Sequence, residues 1–125
     1  MSLMQQGLLQ AMSNLDAFES DGISARFVFP NEFIGFQGHF KDNPVLPGVC
    51  KIQAVVVMYE KFYNKIFRLT SVKQAKYFLP VTCRQEITIQ CHSKLNSENS
   101  IEVKALVQRN EEKIAMLQLT IQAKP

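Results

Sequence analysis

Residues 36–54 read Phe-Gln-Gly-His-Phe-Lys-Asp-Asn-Pro-Val-Leu-Pro-Gly-Val-Cys-Lys-Ile-Gln-Ala, a histidine between glycine/proline turns that runs directly into an apolar segment. From Pro47 onward, Val49, Ile52, Val56, Tyr59 and Tyr63 recur on one helical face, while Cys50, Ala54, Val55, Val57 and Met58 fill the others. Apolar side chains all round describe a buried helix. The valine run argues for strand, because β-branched side chains lose rotamer freedom in a helix. Against this, Pro47 suits a first helical turn, and polar residues return at Glu60, Lys61, Asn64 and Lys65, as they would where a helix leaves a core. The pattern predicts a helix over roughly residues 48–66.

Outward from that helix, the chain alternates. Met4, Leu8, Met12 and Leu15 fall at helical spacing before the Asp21-Gly22 turn, which predicts a short amphipathic helix covering a sheet. Ile23, Ala25, Phe27 and Phe29 alternate with Ser24 and Arg26 up to Pro30, the period of a half-buried strand. Residues 31–37 are expected to be irregular. Four strand-like runs follow, Val72–Leu79, Arg84–Cys91, Ile101–Gln108 and Lys113–Ile121, separated by turns at 80–81, 96–99 and 110–112. A strand, a long helix and a strand meander give an α+β domain, an antiparallel sheet wrapped around one long central helix. The 125 residues are expected to form one domain, small enough to gain from an oligomeric interface.

Composition narrows the function classes. The formal charge of +3 is mild and its lysines and arginines are dispersed, so no basic arm points to nucleic acid. Three cysteines, Cys50, Cys83 and Cys91, lack a Cys-x-x-Cys pair or histidines at zinc spacing, so buried thiols are expected rather than disulfides or a metal site. No leader pattern or apolar stretch of about 18 residues is visible, which predicts a cytoplasmic protein with no membrane partner. No cofactor-binding motif stands out.

His39 lies on a loop, where functional side chains concentrate, and its ordinary pKa near 6.5 suits a base at neutral pH. Pro44, Pro47 and Gly48 stiffen the path from His39 to the helix, and Gly48 has no side chain to block the helix start. Free amides and the positive end of the helix dipole would face an incoming oxygen there, such as a thioester carbonyl gaining enolate charge.

The stretch 31–54 resembles the 3-hydroxyacyl-(acyl-carrier-protein) dehydratases of the hot dog fold, whose signature runs Gly-His-Phe-Pro-x-x-Pro-x-x-Pro-Gly-x-x-x-x-Glu-Ala. Lys-Tyr-Phe-Leu-Pro-Val at 76–81 is similar to the same family's Lys-Phe-x-x-Pro-Val strand end. The resemblance implies a homodimer or higher even oligomer whose sites join the histidine of one subunit to a helix carboxylate of the other. It implies that His39 removes the α proton of a 3-hydroxyacyl thioester carried on acyl carrier protein or coenzyme A, and that the Gly48 amide polarises its carbonyl. Phe40, Pro47 and Val49 would line the acyl site. Gln53 stands where the family carries its catalytic Glu or Asp, and Lys41 and Asp42 replace the usual Pro-Gly.

An amide does not titrate usefully, so Gln53 can hold a leaving hydroxyl only by hydrogen bonds. Glu60 shares its helical face but lies about 10.5 Å further along the axis. Asp42 is close enough in sequence to orient His39 or, with a raised pKa, to donate a proton, and His92 reads as a surface residue. Lys41, Lys51, Lys61, Lys65, Arg68, Lys73, Lys76 and Arg84 read as solvated, with a sign suiting an acidic carrier protein. The expected reaction is dehydration to a trans-2-enoyl thioester. The rivals are a hot dog thioesterase and a non-catalytic acyl-binding subunit of a heteromeric dehydratase.

Overall fold

Ser2 opens the first helix through a reciprocal cap. Its hydroxyl accepts from the Gln5 amide at 3.1 Å while the Gln5 side chain accepts from the Ser2 amide at 3.0 Å, satisfying two donors in the cap and first turn. The computed structural model describes residues 2–37, 44–97 and 99–125. In it, helix α1 (Leu3–Ala11) passes without a loop into strand β1 (Met12–Phe18). The sequence had suggested helix through Leu15. The difference lies at Asn14, which takes a left-handed φ of 54° and shifts the β1–β2 register between Ser13 and Asp16. That bulge separates Met12 from Leu15 by three residues and imitates a helical period.

Strand β2 (Gly22–Val28), helix α2 (Gly48–Tyr63), and strands β3 (Phe67–Tyr77), β4 (Glu86–Ser97), β5 (Ser100–Arg109) and β6 (Glu112–Ala123) complete the fold. The strands form one antiparallel sheet in the order β1-β2-β4-β5-β6-β3. Alternation decides which face is buried: Ile87, Ile89 and Cys91 of β4 join Leu117, Leu119 and Ile121 of β6 in one apolar core with Val55, Met58 and Tyr59 of α2. Full burial of such a side chain contributes about 1.5–3 kcal/mol. Cys50 and Cys91 are buried free thiols and Cys83 is half-buried. Among the described residues two α-helices accompany the sheet, the short α1 and the longer α2.

Helix α2 ends where Asn64 adopts a left-handed φ of 53°, a helix stop that asparagine tolerates well. Glu60 then reaches past the turn, its Oε2 accepting from the Phe67 amide at 2.9 Å and fixing the start of β3. Strand β3 pairs only with β6 and forms one edge of the sheet. Two register shifts, between Leu69 and Ser71 and between Val72 and Gln74, leave Thr70 and Lys73 as extra residues. They keep Leu69, Val72, Ala75 and Tyr77 opposite the inward residues Ile121, Leu119, Leu117 and Ala115, and let Lys73 turn out to pair with Glu102. Leu69, Val72 and Tyr77 nonetheless remain 38%, 43% and 47% exposed. Nor is α2 buried all round: Val49 is 57% exposed and Gln53 is exposed, because α1 and β3 leave this face of the helix uncovered.

Candidate active site

The start of α2 is held from both sides by the chain that precedes it. Leu46 donates its amide to the Val81 carbonyl at 2.7 Å and Val45 forms a bridge with Thr82. The residues leading toward 38 are docked by close contact: a Cβ on Gly35 would lie 2.8 Å from the Cys50 Sγ and 2.4 Å from the Phe33 ring. Glycine is what lets that segment reach the first turn of α2. His39 and Phe40, with Lys41 and Asp42, lie outside the described residues.

Pro47 caps the helix with extended geometry and provides no side-chain acceptor. Its carbonyl takes the Cys50 amide at 3.0 Å, and the amides of Gly48 and Val49 have no acceptor among the described residues. No acidic residue lies in the first turn. The arrangement presents free N–H donors and the positive end of the helix dipole to an oxygen that gains negative charge.

Tyr77 and Lys51 complete this end of the helix. The Tyr77 ring lies over Gly48, so that a Cβ there would be 2.6 Å from its Cζ and 2.8 Å from its hydroxyl. Lys51 does not belong to the solvated surface expected of it. It is 3% exposed, its Nζ donates to the Leu46 carbonyl at 3.3 Å, and it stands 5.4 Å from the centroid of the Tyr77 ring, within cation–π range. Burial pushes the Lys51 ammonium below its ordinary pKa and the neighbouring Cys50 thiol above its own. Burial likewise raises the Tyr77 phenol, which keeps it protonated at neutral pH. Neither residue was singled out from the sequence as part of the site. The one local signal was Gly48, whose missing side chain is required by a ring contributed from 29 positions later (77 − 48).

Val49 and Gln53 come together on a different side of the helix. They line a groove of about 550 Å³ with Ile52 and Val56, closed by Met4 and Leu8 of α1 and by Leu69 and Val72 of β3. Five residues at about 100° each place Gln53 roughly 140° around the axis from Gly48 and about 7.5 Å along it. Within one chain the free amides and the Gln53 amide therefore face different ways. Glu60 borders the same groove, with its carboxylate committed to Phe67.

His92 lies far from this helix end in register, paired with Gly22 and Lys104. Its Nδ1 meets Asp21 Oδ1 at 2.8 Å, a hydrogen bond that raises the imidazole pKa. With Glu19 it forms an exposed group of potential metal ligands. Among the described residues, no helix is long and apolar enough to cross a membrane.

Comparison with known proteins bears on what this helix end does. A family model described as ApeI-like, ApeI dehydratase, matches residues 15–119. The chain belongs to the ApeI-like dehydratase family. Beyond this family, the chain is 30% identical over 87 residues to a 3-hydroxyacyl-(acyl-carrier-protein) dehydratase of a Wolbachia strain from Drosophila simulans, a match covering 64% of this chain and 61% of that protein. Its fold is similar to that of the dehydratase heterocomplex ApeI:P from Xenorhabdus doucetiae, with a TM-score of 0.67 and 13% identity over 89% of this chain and 96% of that one. A mutant thioesterase from Pseudomonas aeruginosa is as similar, at a TM-score of 0.68 and 12% identity over 96% and 86%. The ApeI-like chain thus shares one scaffold, consistent with the hot dog fold, with proteins of two chemistries.

Proposed function

We propose that the protein eliminates water from a 3-hydroxyacyl thioester, borne by acyl carrier protein or coenzyme A, to give a trans-2-enoyl thioester. The observation that carries this reading is the start of α2, where the amides of Gly48 and Val49 have no acceptor among the described residues, in a chain of the ApeI-like dehydratase family. The thioester carbonyl would take the Gly48 amide, stabilising the charge that develops as His39 removes the α proton. Pro47 and Phe40 would border the acyl group. A second copy would pair along the β3 edge and bring its Val49–Gln53 groove to the histidine of the first, with Gln53 holding the substrate by hydrogen bonds.

Two observations favour other outcomes. The same scaffold occurs in a thioesterase, which favours hydrolysis. The likeness to a dehydratase heterocomplex, together with a glutamine that cannot titrate, supports a subunit that works beside a related chain. One experiment separates the three. The purified protein is given a 3-hydroxyacyl thioester on either carrier and the products are resolved by mass. Loss of water supports the proposal; free thiol, or no turnover until a related subunit is added, overturns it.

A further inference from the structure

If the reaction is a dehydration, the hydroxyl that leaves Cβ must acquire a proton, and the residue at the family's acid position cannot supply one. Gln53 has no ionisable proton and, in its own chain, faces away from the Gly48 amide. The group that lies over Gly48 is the Tyr77 hydroxyl, 2.8 Å from where a Gly48 Cβ would stand. The approach is specific, since any side chain at 48 would push the ring off.

Three features make this phenol more than a cover. It has no hydrogen-bond partner among the described residues, so its proton is available to a ligand. Its ring is fixed by the Lys51 ammonium, a buried cation that α2 brings to the Gly48 side of the helix. Burial keeps the phenol protonated at rest. Finally, Tyr77 is half-exposed at the end of β3, leaving room for a substrate to reach it.

We propose that Tyr77 is the proton donor to the departing hydroxyl, taking the role that the carboxylic acid plays in the dehydratases this chain resembles. As the base takes the α proton, the Cα–H pair forms the Cα=Cβ bond and the Cβ–O bond breaks. Tyr77 delivers its phenolic proton to the leaving oxygen, which departs as water. The phenolate then regains a proton from solvent, and the base returns one to it, so both groups end as they began. This assignment rests on the dehydration reading above.

The test compares two leaving groups. Tyr77→Phe keeps the ring over Gly48 and against Lys51 and removes only the hydroxyl. On a 3-hydroxyacyl thioester its kcat should fall by about 10²-fold or more, the usual range for a positioned proton donor, with KM little changed. On the matching 3-fluoroacyl thioester, where fluoride leaves without a proton, wild type and Tyr77→Phe should eliminate at comparable rates. Unchanged dehydration in Tyr77→Phe would overturn the proposal while leaving the dehydration reading intact. Equal losses on both substrates would assign Tyr77 a purely structural role. A wild-type protein that eliminates from neither substrate removes the reading and the donor together.

Discussion

The carboxylate of Glu60 accepts the backbone amide of Phe67 at 2.9 Å, joining the last turn of α2 to the first residue of β3 across the helix stop at Asn64. Glu60→Ala should therefore lower stability by about 1–2 kcal/mol, the order of a partly buried hydrogen bond to a charged group. Glu60→Gln, which keeps an acceptor, should lose less. Urea unfolding of the two variants reads the difference. Catalysis by either variant should stay near wild type, because the carboxylate serves the turn; a selective loss of turnover in Glu60→Gln would make it an acid of the site after all.

Gln53→Glu places a titratable acid at the position where the resembled dehydratases carry one. Dehydration should rise if the rest of the site is complete, and the gain should fade as pH climbs above the carboxyl pKa. His39→Ala removes the proposed base, and turnover should drop by about 10²–10⁴-fold. Steady-state rates on a 3-hydroxyacyl thioester check both. Gln53 is exposed in a single chain, so any rise in the carboxyl pKa must come from a partner covering the groove.

The β3 edge should carry the assembly. An inward-pointing charge on an edge strand is an effective block to pairing, and Val72 is 43% exposed on that row. Wild-type protein should scatter light as a dimer or a multiple of it, and Val72→Lys should shift it toward monomer with its circular dichroism retained. A wild type that runs as monomer at micromolar concentration would rule out a shared site.

Lys51 should leave a signature in the pH dependence of stability. Burial lowers its folded pKa below 10.5, so at pH values between the folded and unfolded pKa the unfolded chain binds more protons. Stability should then rise with pH through that window and be lost again as pH falls through the folded pKa. Lys51→Met, similar in length and free of charge, should flatten this dependence. Denaturant midpoints from neutral to alkaline pH would show it.

Some of this architecture was open to reading residue by residue. Pro47, Gly48 and the return of polar residues at Glu60 and Lys61 placed α2 within a few residues of its end at Tyr63, and strict alternation placed β2 and β6. What hid the rest was backbone irregularity. Asn14 in a left-handed conformation made Met12 and Leu15 look like the next turn of α1, so β1 was missed. The extra residues Thr70 and Lys73 broke the alternation of β3, which begins at Phe67 rather than Val72. The Gly48 end of the site could be anticipated because its residues are contiguous. Tyr77 and the burial of Lys51 could not, since each depends on how β3 comes to rest beside the helix.

The two extra residues of β3 also set the phase of the strand. Side chains on a strand alternate, and an extra residue taken up as a bulge lets the positions after it keep their partners on the neighbouring strand. Thr70 and Lys73 are taken up in this way, and Tyr77 arrives opposite Ala115 with its ring over Gly48. Deleting Thr70 alone would close its bulge and leave Tyr77 opposite Ala115. A residue added to the regular ladder between Leu69 and Tyr77 would instead bring Lys76 opposite Ala115, where the phenol now lies.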